Sequence, residues 1–319
     1  MRISTISLAL ALTASIAVAD ATYQEKTQIH FAGALGSVIN VFGRSATHEG
    51  VVTDVAIHKN RKLSHTGDNG EIVDLDEQKI YYLDYGRKTY KVVTFDELRR
   101  QYEEQKARAE KRESRSADKN EKQGPEYEVE FSVKSPGNKE TINGWATHEE
   151  IATITVHEKG KKLEDTGGFV LTSDMWIGPR VAAKREMVEF ERRFMQKVYG
   201  DSLMADMRQA AAMFAAMPAF GKAMKTFNEK QGSFDGSPIR TKMTFETVAG
   251  KNPSADQQQQ PASPAAALGG LLGRMKQRRQ SEDAGPQRST MFDSNNELLK
   301  ASTSASANDV ALPAGFTQR

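Results

Sequence analysis

No cysteine occurs anywhere in the 319 residues. That excludes disulfides, thiolate nucleophiles, cysteine-ligated metals and a lipid-bearing cysteine. A surplus of either charge is missing too. With 44 Lys and Arg against 42 Asp and Glu, the chain has no field to steer nucleic acid, and no basic patch with interleaved aromatics appears. There is no Gly-x-Ser-x-Gly elbow and no glycine-rich phosphate loop between a strand and a helix, so acyl transfer and nucleotide binding have no motif here. Hydrophobic residues make up 38%, low for a compact globule, and some length is expected to lie outside any core.

One apolar run stands at the very start. Arg2, the stretch Ile6 to Ile16 and the small-x-small pattern Ala17-Val18-Ala19 read as a secretory signal cleaved after Ala19. The run is too short for a permanent anchor, so membrane association is expected to be peripheral at most. The expected location is the periplasm, with full secretion as the alternative. From residue 20 to 319 the reading is a single domain with flexible segments at 104–124 and 251–287.

A stretch of the chain recurs. Ala46-Thr47-His48-Glu49 returns as Ala146-Thr147-His148-Glu149, and Leu-x-x-Thr-Gly ends both copies, at Gly67 and Gly167. Ungapped, 10 of the 22 positions from Ala46 to Gly67 match their partners. The apolar residues inside fit better at an offset of ninety-nine, Val55-Ala56-Ile57-His58 on Ile154-Thr155-Val156-His157. That pattern predicts a reused strand-turn-strand element, with a β-bulge at 50–54 in the first copy.

Short apolar runs between tight turns predict an antiparallel meander from Thr22 to Phe95. A helix capped by Thr94 or Asp96 follows, with Leu98 and Tyr102 on its apolar face. Beyond Tyr102 the segment to Lys122 is charged or small, a solvated helical extension or disorder. Tyr127, Val129, Phe131 and Val133 alternate as in a half-buried strand. Met187, Phe190, Phe194 and Val198 make one helical face. Met204, Met207, Ala211, Phe214 and Met217 make a second, and Phe220 and Met224 continue it past Pro218. Strand signals return at Ile239, Met243, Phe245 and Val248, and again at Leu298 and Leu299.

Three sets of residues invite a chemical reading. His48, His58, His148 and His157, with Glu49, Glu149 and Glu150, could supply a metal site; alternation with Ile57 and Val156 favours plain exposed strand positions instead. Asp74, Asp76 and Glu77 lie at a tight turn, where carboxylates are usually just solvated. Eight of the twelve methionines fall between Met175 and Met224, on helical faces. They read either as gap-filling core or as the lid of an apolar cavity, since Met adapts to variable apolar shapes.

The runs Gly70-Glu71-Ile72-Val73-Asp74-Leu75, Lys79 to Asp84 and Lys88-Thr89-Tyr90-Lys91-Val92 carry a resemblance, with Asp174-Met175-Trp176-Ile177 and the closing Leu312-Pro313-Ala314-Gly315-Phe316. They resemble a bacterial envelope family, a domain of unknown function, that is itself similar to the periplasmic lipoprotein carriers (LolA/LppX-like). The resemblance covers about Thr22 to Leu98, Tyr127 to Phe227 and the C-terminal strands. It implies an α+β fold: a curved antiparallel β-sheet forming an unclosed barrel, lidded by amphipathic helices; the charged segment and the Gln-rich stretch lie outside the resemblance and are expected to be disordered insertions. It carries over no ligand residue and implies no cofactor. The expected function is non-catalytic binding of a lipid or lipidated partner between the sheet and Met204, Met207, Phe214, Met217, Phe220 and Met224. The alternative is an envelope interaction protein without a small-molecule ligand, and last a metal-dependent hydrolase using the His/Glu pairs.

Overall fold

The computed structural model describes residues 20–31, 50–117, 126–215, 234–250 and 287–319, with the backbone alone for 109–110, 112–117, 201–215 and 287. The leader, the first Ala-Thr-His-Glu copy and the segment 251–286 lie outside the described residues.

The meander comprises β1 (Ala21–Phe31), β2 (Val51–His58), β3 (Arg61–Thr66), β4 (Asn69–Asp74), β5 (Lys79–Asp84) and β6 (Thr89–Thr94). Its turns follow from local chemistry. In the loop after β4, the Asp74 carboxylate accepts from the backbone N–H groups of Asp76 (2.9 Å) and Glu77 (2.8 Å). In the equally long loop after β5, Asp84 accepts from Arg87 N–H at 2.9 Å. Each loop ends on a left-handed residue, Gln78 or Lys88, which turns the chain into the next strand. Asp74 is therefore not a solvated turn carboxylate; it is buried and organises the turn.

Thr94 caps α1 (Phe95–Ala117) by accepting from Glu97 N–H at 3.2 Å, and the charged segment is helical as far as Ala117. Then come β7 (Tyr127–Lys134), β8 (Lys139–Ile142), β9 (Trp145–Glu158), the single helical turn α2 (Leu163–Thr166), β10 (Gly167–Gly178), α3 (Ala182–Ala215), β11 (Ser237–Ala249), β12 (Gln287–Ser302) and a two-residue β13 (Thr317–Gln318). Gly200 is non-helical and breaks α3 where the two predicted apolar faces meet.

The thirteen strands of the described residues form one sheet, in the order β13-β6-β5-β4-β3-β2-β1-β12-β11-β10-β9-β7, with β8 beside β9. The sheet is unclosed, and every pair is antiparallel except β13 with β6. α1 and α3 lie on one face of the sheet, over the β1–β6 half and the adjoining Ile142, Ile239 and Leu298. Phe190 and Val198 of α3 and Phe95 of α1 pack there against Ala21, Ile57 and Val73. The C-terminal segment crosses the opposite face: Val310 is buried, Phe316 meets Tyr85 edge-on at 5.2 Å, and Thr317 N–H bonds Lys88 O at 3.1 Å. Covered on both sides, this half holds fully buried residues facing either way, Ile57 towards the helices and Ile72 away from them.

The repeat turns out to share one strand and not a whole element. In the first copy Leu63 to Thr66 is strand, paired with β2. In the second, Leu163 to Thr166 is the helical turn α2, and Gly168 pairs with His157. The connection explains the divergence. Lys59 takes a left-handed conformation, so Lys59 and Asn60 turn the first copy within two residues; the longer Glu158-Lys159-Gly160-Lys161 run lets the following residues coil. The predicted bulge at 50–54 is absent, because β2 pairs with β1 in unbroken register from Val51 to Ile57. The register shifts fall instead opposite Gln24/Glu25, at Trp176/Ile177 and at Phe245/Glu246.

The two glycines that end the copies should therefore respond differently. A Cβ on Gly67 meets nothing within 4 Å, whereas one on Gly167 would lie 2.5 Å from Val248 O and 2.7 Å from Gly250 N. Asn tolerates positive φ, so Gly67→Asn should cost under about 1 kcal/mol. Gly167→Asn should cost more than about 2 kcal/mol. Urea denaturation of both variants checks the difference.

Candidate functional site

Cross-strand partners share a face, so the registers show what each side of the β7–β12 half presents. On the helix-bearing face a single row runs Phe131, Ile154, Leu171, Phe245, Phe292, Phe31, over six adjacent strands from β7 to β1. Ring contacts tie the row together: Phe31 and Phe292 lie 5.3 Å apart, and Phe245 stacks on Phe169 of the next row at 5.8 Å. None of the six is buried, and Ile154 is 36% exposed. Set one residue along, the opposite face presents Ser132, Thr153, Thr172, Thr244, Asp293 and His30. Across these two rows the half-sheet is apolar on one side and polar on the other, as in an antiparallel sheet with one wet face; elsewhere Val170 and Val248 are buried on the second face and Glu150 on the first. Half-exposed apolar surface of this extent is the molecule's main unsatisfied feature among the described residues.

The side chains of the expected lid lie outside the described residues. Met204, Met207 and Phe214 belong to α3 beyond Gly200, where only the backbone is described, and Met217, Phe220 and Met224 lie outside the described residues. The preceding turns of α3 behave as their spacing predicts, with Phe190 and Val198 buried and Met187 and Phe194 packed against the core.

How α3 is seated on the sheet was not legible in the sequence. Lys62, on β3, is 6% exposed, lies 5.5 Å from the centre of the Phe190 ring and is salt-bridged to Glu191. Lys184 is likewise paired with Glu25 and lies 5.2 Å from the Tyr23 ring centre. Arg193 donates to Asn60 Oδ1 at 2.7 Å and to Glu186 Oε1 at 2.9 Å, and Lys197 donates to Leu75 O at 2.9 Å. Burial pushes the Glu71 carboxyl above its ordinary range; Lys62 opposes that shift and Glu191 adds to it. Burial also raises the Tyr23 phenol, reinforced by Glu25 and Glu191.

The histidines go to separate carboxylates. His58 Nδ1 lies 2.9 Å from Asp20, His157 Nε2 3.4 Å from Glu130 and His148 Nε2 3.9 Å from Glu150. His157 does point away from the apolar row, yet it is 6% exposed and not the solvated position its alternation suggests. His48 and Glu49 are outside the described residues. Among the described residues no three His, Asp or Glu side chains converge as metal ligands.

A cleft of about 380 Å³ lies on the face away from α3, beneath the C-terminal segment, where Asp54, His65, Tyr85 and Asp309 surround Ala56 and Leu63. Asp309 is held below its usual range by the Ser306 hydroxyl (2.8 Å) and backbone N–H (2.7 Å). The cavity expected beneath Met204 to Met224 would be on the other face, so this cleft does not correspond to it.

The geometry defines a sheet-dominated α+β protein with few helices, none among the described residues long and apolar enough to cross a membrane. Compared with known proteins, the chain matches no family model and no curated protein.

Two outcomes follow from the α3 seating. Lys62→Met keeps the side-chain volume and removes the buried charge, so stability should change by less than about 1.5 kcal/mol. Glu191→Ala strands Lys62 and should cost about 1–3 kcal/mol, less than a wholly buried pair because Glu191 is 38% exposed. Chemical denaturation of both variants checks the asymmetry. For Glu71, the folded carboxyl holds its proton more tightly than the unfolded one. Its contribution is fully present below the ordinary value of 4.5 and is lost as pH rises through the raised one. Glu71→Gln should therefore melt at a higher temperature than the parent at pH 7, with the gap closing below pH 4.5, as thermal melts across pH will show.

Proposed function

We propose that the chain is an exported, non-catalytic binding protein that holds a lipid or lipidated partner against the helix-bearing face of the β7–β12 half-sheet. One observation carries the reading: the half-exposed apolar row from Phe131 to Phe31 spans six strands and is backed by a polar row on the other face. An acyl chain matches such a surface, because burying it removes about 25 cal/mol per Å² of apolar area from water and requires no directional partner. The row lies on the same face of the sheet as α3, whose Met-rich continuation supplies adaptable apolar side chains in the sequence. The leader at residues 1–19 supports a periplasmic setting, where lipidated proteins and free acyl chains both occur in transit.

Mass spectrometry of organic extracts from gently purified protein should find lipid at near-stoichiometric amounts. A fluorescent long-chain fatty acid should bind saturably. Leu171→Asp or Phe245→Asp should weaken that binding at least about tenfold, because a carboxylate is costly against an acyl chain. Thr172→Asp, on the opposite face, should leave binding unchanged, with circular dichroism confirming that each variant is folded. Folded parent protein that carries no lipid and fails to saturate with the probe would sink the proposal.

A further inference from the structure

The edge strand β7 pairs with β9 on one side and with no strand of the described residues on the other. Its backbone is oriented for a second pairing. Lys159 N–H donates to Glu126 O, which sets the even-numbered residues of β7 to bond β9 and points the odd-numbered N–H and C=O groups to the open side. An edge of eight residues is a template for another strand unless its side chains forbid it.

The side chains of β7 select one partner and one register. Val129, Phe131 and Val133 share the apolar face, and Glu128, Glu130, Ser132 and Lys134 share the polar one. Consider a second copy of β7 laid antiparallel about a two-fold axis. If the axis passes through Phe131, that residue faces its own copy and Val129 faces Val133. On the polar side Glu128 then faces Lys134 at both ends of the ladder, and Glu130 faces Ser132. Moving the axis to Glu130 sets Glu130 against Glu130. Moving it between two residues sets apolar side chains against polar ones. Moving it to Ser132 sets Glu130 against Lys134 and Phe131 against Val133, but shortens the ladder within β7 to Glu130–Lys134 and leaves Glu128 unmatched. The axis through Phe131 satisfies both faces over the longest overlap, Glu128 to Lys134.

The geometry points to β7 as a two-fold dimerisation edge, with a second copy of this chain as its occupant. Pairing through Phe131 makes one ladder with odd-numbered backbone groups bonded reciprocally, and it carries the apolar row of one copy directly into that of the other. The isologous symmetry duplicates the Glu128–Lys134 pair, so charge selects for self-association where a protective edge would use repulsion. This pairing does not depend on the ligand proposed above: lipid binding by a strictly monomeric chain would overturn the pairing alone.

Sedimentation velocity on the full chain should show a dimer at about 100 µM. Lys134→Glu, which sets Glu128 against a new carboxylate twice, should weaken dimerisation roughly tenfold. Glu128→Lys should do the same. The double variant Glu128→Lys with Lys134→Glu restores opposite charges and should dimerise as the parent does, a rescue that general destabilisation cannot produce. A monomer at that concentration overturns the inference. So does a dimer that both single reversals leave intact, which would place the contact elsewhere or leave the edge to a different extended partner.

Discussion

The structure depends on the ladder between β1 and β12. Ten residue pairs, from Thr22 with Ser302 to Phe31 with Phe292, join strands about 270 positions apart and make one sheet from what would otherwise be two. On one side of that seam β1 leads into the β2–β6 meander; on the other, β12 leads through β11 and β10 to β9 and β7. Because side chains alternate strictly, the register of this ladder also decides which residues share a face. Phe31 joins the row of Phe292 and Phe245, while Tyr23 and Ala21 on the same side of β1 face the helices. A contact of such sequence separation forms slowly, so closing the seam is expected to be a late and costly step in folding.

The two halves solve burial differently. The β1–β6 half is covered on one face by α1 and α3 and on the other by the C-terminal segment, and it contains the fully buried side chains Ile57, Ile72, Val73 and Leu75. Its helices are held by charge as well as packing: Lys62 and Lys184 each lie against an aromatic ring while paired with a carboxylate. Such pairs add geometric specificity more than net stability, since desolvation offsets most of their attraction. They set where α3 starts on the sheet and hence where its continuation beyond Gly200 departs. In the β7–β12 half Ile142, Ile239 and Leu298 join that core; the partly exposed apolar row lies outside it and is the physical basis of the functional proposal.

Several features were readable from residue patterns. The meander, the Thr94 cap, the apolar face of α3 and the alternation of Tyr127 to Val133 each rest on local periodicity or on one hydrogen bond within a few residues. Asp74 shows the boundary. Its place in a turn was legible, but its burial was not, because that depends on Arg61 and on strands that arrive from elsewhere. The repeat shows the same boundary. Identical Leu-x-x-Thr-Gly segments became strand in one copy and helical turn in the other, because the length of the preceding turn decides whether the chain returns to its partner at once. Likewise the alternation around His157 gave its direction but not its burial.

The sequence by itself determined the local elements and their chemistry: alternating apolar strands, turns punctuated by Asp and Gly, a helix with one apolar face and a chain without thiols. Only the tertiary structure decided which strands are neighbours, and so which apolar residues meet. Phe31, Phe131 and Phe245 are each ordinary in their own strands and become one surface only through pairing across five ladders. Periodicity is a property of neighbours along the chain, whereas a binding face is a property of neighbours across the sheet, and strand order settles the second.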